Sequence, residues 1–83
     1  PLDTPPFFAV PLLPGTVGTK GGLRCDGSAR VLDAEDAVIP GLYACGAAMA
    51  SSMGIGYPSA GGMLGSGMAF GYLAGDGAGA ELP

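Results

Sequence analysis

Seventeen of the 83 residues are glycine, and each glycine loses more backbone freedom on folding than any other residue does. A chain this short has room for one small core and is marginally stable unless something staples it. The glycines are interleaved with Met, Leu, Phe and Tyr in a chain that is 48% hydrophobic, a pattern of close packing more than of a disordered linker. An apolar, glycine-rich chain with so little capacity for a core of its own is expected to be part of something larger, not an independent domain.

Charge excludes some roles. The net charge of −4 comes from ten charged side chains. The three basic residues, Lys20, Arg24 and Arg30, are too few for a nucleic-acid footprint. Cys25 and Cys45 lack metal-ligand spacing and the chain has no histidine, so no metal site is expected. Two free thiols in a cytoplasmic protein are expected ahead of a disulfide. The opening PLDTPP has neither the basic flank nor the apolar run of a secretion signal. Its lack of an initial methionine reads as processing or as the tail of a longer chain.

Three zones follow. Residues 1–22 begin proline-rich, pass through FFAVPLLPG and end in the glycine loop GTVGTKGG. Phe7 to Val10 is β-compatible, but Pro11 and Pro14 restrict it to an edge strand or an extended segment. Residues 23–46 read as short strands. LRCD, a turn at Asp26-Gly27-Ser28 and ARVLD make a hairpin, with Gly27 available for positive φ. DAED is a solvated turn, Pro40-Gly41 marks another, and LYAC is a short buried strand ending at Gly46. Residues 47–62 are a loop, too rich in Gly, Ser and Pro for regular structure. A helix is predicted over 63–75, with a tail at 76–83.

Within and beyond that helix Gly67, Gly71, Gly75 and Gly79 fall four apart, a flat stripe where another backbone can approach closely. The apolar run from Met63 to Gly75 is too short to cross a bilayer, which takes about 20 residues, so no transmembrane segment is expected. The helix start is more informative. Tyr57-Pro58-Ser59-Ala60-Gly61-Gly62 leads into a turn whose backbone N–H groups have no partner within the helix. No charged side chain lies nearby, which leaves the helix dipole as the main local field. A phosphate or the electron-rich edge of a flavin suits such a place. The GK[ST] ending of a P-loop is missing, as is a GxGxxG motif between a strand and a helix, so the ADP half of a dinucleotide must be bound elsewhere.

The order GTKGGLRCD, ARVLD, IPGLYACG and GYPSAGGMLGSGMAFGYLAG resembles the C-terminal region of the fumarate reductase/succinate dehydrogenase flavoprotein superfamily, and within it the 3-ketosteroid dehydrogenases. The resemblance spans roughly residues 5–75. It implies an α/β fold: the C-terminal part of a Rossmann-like FAD-binding domain, with short strands, a glycine-rich loop and one C-terminal helix. It also implies FAD as cofactor, a steroid-like cyclic ketone as substrate, and a larger FAD-binding chain or the remainder of the same polypeptide as partner.

By position, the resemblance places Gly46 beside the ribityl-diphosphate of the flavin. It places the amides of Gly62, Met63 and Leu64 on the pyrimidine edge of the isoalloxazine. Thr19, Lys20, Gly21 and Gly22 border the flavin and substrate cavity. Tyr57 and Gly61 match the hydroxyl and amide that hold the 3-keto oxygen, an oxyanion hole for an enolate-like oxygen. Ala47 stands in the cofactor-binding row where many relatives carry Glu or Asn, so that contact must come from elsewhere or be absent. The general base lies outside these residues. The activity implied is α,β-dehydrogenation of the ketone or its reverse. An enoate reductase of the fumarate reductase type, and a non-catalytic glycine-rich assembly subunit, are the alternatives.

Overall fold

The computed structural model describes residues 2–83. Its first ordered feature grows from Asp26. One carboxylate oxygen accepts the amides of Ser28 at 2.9 Å and Arg30 at 3.0 Å, while the other takes the Arg30 guanidinium at 2.6 and 2.8 Å. That network closes the expected hairpin turn. The positive φ falls on Ala29 (65°) and not on Gly27. The reason is tertiary: Ala29 is fully buried and its carbonyl accepts the Ala44 amide at 3.0 Å. LRCD is not a strand; it makes only two isolated bridges, Cys25 to Val31 and Leu23 to Met49.

The two strands are β1 (Arg30–Leu32) and β2 (Val38–Tyr43), paired antiparallel. DAED joins them as a solvated turn in which the Asp33 carboxylate accepts the Glu35 and Ala37 amides, both at 2.9 Å. Pro40-Gly41, read from sequence as a turn, lies instead inside β2. Arg30 pairs with Tyr43 and Leu32 with Val38, so two steps along β1 face five along β2. The surplus is a bulge. Proline has no ladder donor to lose there, and Gly41 takes φ +74°. LYAC correspondingly leaves the strand at Tyr43 and enters a 3-10 turn at Gly46–Ala48. Phe7 to Val10 forms no strand and carries no regular secondary structure.

Helix α1 runs Gly62–Glu81, six residues past the expected end at Gly75 and through most of the expected tail. The Tyr43 hydroxyl donates to Glu81 at 2.7 Å, and its ring lies so close to Gly77 that a Cβ there would be 2.8 Å from Cε1. Strand β2 therefore holds the last turns in place. The Glu81 carboxylate also raises the Tyr43 phenol above its ordinary value. Of the glycine stripe, Gly67 and Gly71 meet Gly46 and Cys45, whereas Gly75 and Gly79 face open space. No helix among the described residues is long and apolar enough to cross a membrane.

The core is very small. Ala29, Val31, Ala44 and Met49 are buried, with Cys25 and Phe70 packed against them. Phe8, Leu12, Val17, Leu64, Met68 and Tyr72 are all more than two-thirds exposed. The radius of gyration is 19.0 Å, against about 12 Å for a compact domain of this length. These 83 residues do not enclose a core of the size an independent domain needs.

The Asp26 turn carries a pH dependence. Hydrogen bonds from Arg30, first its side chain, hold the Asp26 carboxyl below the usual carboxylate range. A depressed carboxylate stabilises the fold fully above its unfolded value and ceases to as pH falls through the folded one. The protection of the Ser28 and Arg30 amides, taken relative to the intrinsic exchange rate at each pH, should therefore fall on acidification below the ordinary carboxylate range. Asp26→Asn should abolish that dependence.

Candidate functional site

The 3-10 turn, the glycine loop and the start of α1 converge on one cleft. Backbone pairing brings the glycine loop in: Ser51 donates to the Lys20 carbonyl at 3.0 Å, Leu23 to Ala48 at 2.9 Å and Ala50 to Leu23 at 2.8 Å. Gly22 is the point of closest approach. A Cβ on it would lie 2.5 Å from the Met49 carbonyl carbon and 2.7 Å from the Ala48 oxygen. The two chain segments can meet only because that position has no side chain.

The cleft is lined by Thr19, Lys20, Gly46, Ala47, Met49, Ser51, Met53, Met63 and Ser66. Five of these, Thr19, Lys20, Gly46, Ala47 and Met63, were named from sequence. Gly46 takes φ +59° and a Cβ on it would meet no protein atom. Met49, Ser51, Met53 and Ser66 were missed. Ser66 was legible in principle, since it sits one turn after Met63 on the same helix face; its hydroxyl lies 3.0 Å from that of Ser52.

The cleft holds only about 40 Å³, whereas pockets for small molecules hold about 300–1,000 Å³. It is too small to enclose such a molecule on its own. A larger hollow of about 430 Å³ lies across Arg24, Asp26, Leu32 and Phe70, but none of the residues given a catalytic, cofactor or substrate role from sequence borders it.

The helix start stands beside the cleft. Gly61 takes φ +80°, the left-handed conformation, and no side chain caps α1. The Gly62 amide turns back to Ser59 at 3.3 Å and a Cβ there would touch the Met53 sulfur at 3.0 Å. Met63 and Leu64 occupy the next two positions, where α-helical amides have no partner within the helix. With no acidic residue in the first turn, the positive end of the dipole is unopposed.

Tyr57 is 55% exposed, and the Lys20 ammonium lies 5.2 Å from the centre of its ring. Lys20 thus links the tyrosine to the cleft, although Tyr57 does not line it. A Cβ on Gly21 would meet nothing within 4 Å, and its carbonyl accepts the Thr19 hydroxyl at 3.5 Å. Both cysteines are free and half-buried. Burial pushes the Cys25 thiol up, and its Sγ lies 3.8 Å from the Ala44 carbonyl, packed against Val31, Ala44 and Met49.

Comparison with known proteins gives this geometry a context. The family described as "FAD binding domain" matches residues 2–64. The chain is 51% identical over 75 residues to a 4-oxocyclohexanecarboxylate 2-dehydrogenase of Sinomonas cyclohexanicum, covering 90% of this chain and 13% of that protein. It is 51% identical over 69 residues to a 3-oxosteroid 1-dehydrogenase of Mycolicibacterium smegmatis, covering 83% of this chain and 12% of that one. Among solved structures it resembles the 3-ketosteroid delta1-dehydrogenase of Sterolibacterium denitrificans, crystallised with 1,4-androstadiene-3,17-dione. The TM-score is 0.73 at 52% identity, over 78% of this chain and 12% of that one. The chain thus spans about an eighth of the length of these relatives.

Proposed function

The chain belongs to the FAD binding domain family, and from that premise we propose that it forms one wall of the flavin and substrate site of a larger FAD-dependent dehydrogenase acting on a cyclic ketone of the 3-ketosteroid type. The rest of that enzyme, a Rossmann-like ADP-binding region and the general base, belongs to the partner chain or the remainder of the polypeptide. Similarity to dehydrogenases named for 3-oxosteroids and for a 4-oxocyclohexane acid supports the ketone ring as the shared substrate element.

The observation that carries this reading is the uncapped start of α1 behind left-handed Gly61, set against a cleft that gathers the glycine loop and Gly46. The donor set suits a flavin: backbone amides with no competing carboxylate, beside glycines that let a flat ring come close. Met63 and Leu64 would hold the pyrimidine edge with Gly62, whose amide turns back to Ser59, packed beside it; Gly46 and Ala47 would take the ribityl-diphosphate side, and Thr19 to Gly22 the border with substrate. Bound there, FAD supplies the hydride acceptor for one of the two carbons that become a double bond.

The residues of this chain do the electrostatic part. The Tyr57 hydroxyl and the Gly61 amide donate to the keto oxygen, which becomes enolate-like as the α-proton leaves for a base outside these residues. Donors aimed at the developing charge are worth more in the transition state than in the ground state. Ala47 adds no side-chain contact, so the grip on the ribityl chain comes from backbone. The same donors serve the reverse reduction.

Anaerobic titration of the full-length holoprotein tests the reading. A saturated 3-ketosteroid or cyclohexanone acid should bleach the yellow absorbance of oxidised flavin, one equivalent per site. A full-length protein that purifies without flavin, or whose flavin no cyclic ketone reduces, would sink it.

A further inference from the structure

Within that reading of Tyr57 as the keto-oxygen donor, we propose that Lys20 is a positioning residue for Tyr57, holding the ring by a cation–π contact so that its hydroxyl points into the substrate space. Three observations meet here. First, the basic residues are unequally engaged. Arg24 pairs with Asp36 at 2.7 Å and Arg30 with Asp26 at 2.6 Å, whereas Lys20 has no carboxylate partner among the described residues. Its ammonium lies instead over the Tyr57 ring, 5.2 Å from the centre, inside the range of such contacts.

Second, Lys20 is the better anchored of the two. Its carbonyl accepts the Ser51 amide at 3.0 Å, it lines the cleft beside Thr19 and Met63, and two residues on the chain is locked by the Gly22 approach. Third, Tyr57 sits on a weakly held loop. Ile55 is 98% exposed, and the flanking backbone bonds stop at Gly54 on one side and resume at Ser59 on the other. Among the described residues the Tyr57 hydroxyl has no hydrogen-bond partner, so the Lys20 contact is what fixes the ring. A cation on the ring face leaves that hydroxyl free to donate, and draws electron density from the ring in a way that strengthens the donor.

The test uses the full-length holoenzyme and a double-mutant cycle. Lys20→Met keeps the apolar stem and removes the charge. It should lower kcat about 3- to 30-fold, the span of cation–π contacts from exposed to desolvated, with KM, flavin content and thermal midpoint nearly unchanged. Lys20→Arg, whose guanidinium also stacks on aromatic faces, should restore most of the rate. In a Tyr57→Phe background Lys20→Met should cost little more. Should Lys20→Met lose flavin, Lys20→Gln serves in its place. An undiminished kcat in Lys20→Met, or a full additional loss in the Tyr57→Phe background, overturns the positioning role. If Tyr57→Phe alone leaves turnover intact, the donor assignment fails instead, and the two failures are told apart.

Discussion

Tyr57→Phe in the full-length enzyme should lower turnover of a cyclic ketone by about 10²–10³-fold, the cost of removing one donor from an oxyanion hole, while FAD stays bound. The substitution deletes one oxygen and leaves the ring, so its effect separates two roles. A packing tyrosine would tolerate it. Tyr57 is 55% exposed and the Lys20 ammonium approaches its ring at 5.2 Å, an arrangement that uses the ring for orientation and leaves the hydroxyl unspent. The loss should fall on kcat more than on KM, because the bond strengthens as charge develops on the oxygen. Flavin absorbance and turnover, measured on the same preparation, check it. Unchanged turnover would remove Tyr57 from the mechanism.

Gly22→Ala should destabilise the folded protein by about 1–3 kcal/mol, the usual cost of forcing atoms into a filled space, and weaken flavin binding with it. The new Cβ would fall 2.5 Å from the Met49 carbonyl carbon and 2.7 Å from two carbonyl oxygens. All three are backbone atoms, so no side-chain rotation relieves the clash. The segments would separate, breaking the Leu23–Ala48, Ala50–Leu23 and Ser51–Lys20 bonds and carrying Thr19 and Lys20 away from the cleft. Gly21→Ala is the control, since nothing lies within 4 Å of a Cβ there. Thermal unfolding of the two variants, with flavin retention on dilution, gives the comparison. Equal stability in both would show that the chain segments do not meet as closely as described.

Much of the site was legible because it consists of glycines and backbone. A residue that must admit a ligand or another chain leaves a compositional trace, which is why Gly46, Gly61 and Gly22 stood out before any coordinates. Met49, Met53 and Ser51 left none: they look like any apolar or loop residue, and only the convergence of three segments puts them together. The misread elements share a cause. Pro40-Gly41 has the local chemistry of a turn, but pairing with β1 absorbs it as a bulge. Gly77 and Gly79 argue against helix locally, yet Tyr43 and Glu81 hold the last turns from outside. Gly27 is the better left-handed residue, but burial of Ala29 decides the turn.

The sequence alone determined the short-strand and single-helix character of the chain and the polar groups available at the helix start. A charge-free, glycine-rich stretch leading into a helix leaves backbone amides and a few hydroxyls as its donors, and no tertiary contact is needed to know it. Tertiary structure alone decided which glycines are indispensable, where α1 ends and which cation faces Tyr57. Those depend on distances between segments twenty or more residues apart, and local propensity carries no information about such distances. The shortage of core that the glycine count implied at the outset takes the form of an extended, largely open chain with a small cleft where three segments meet.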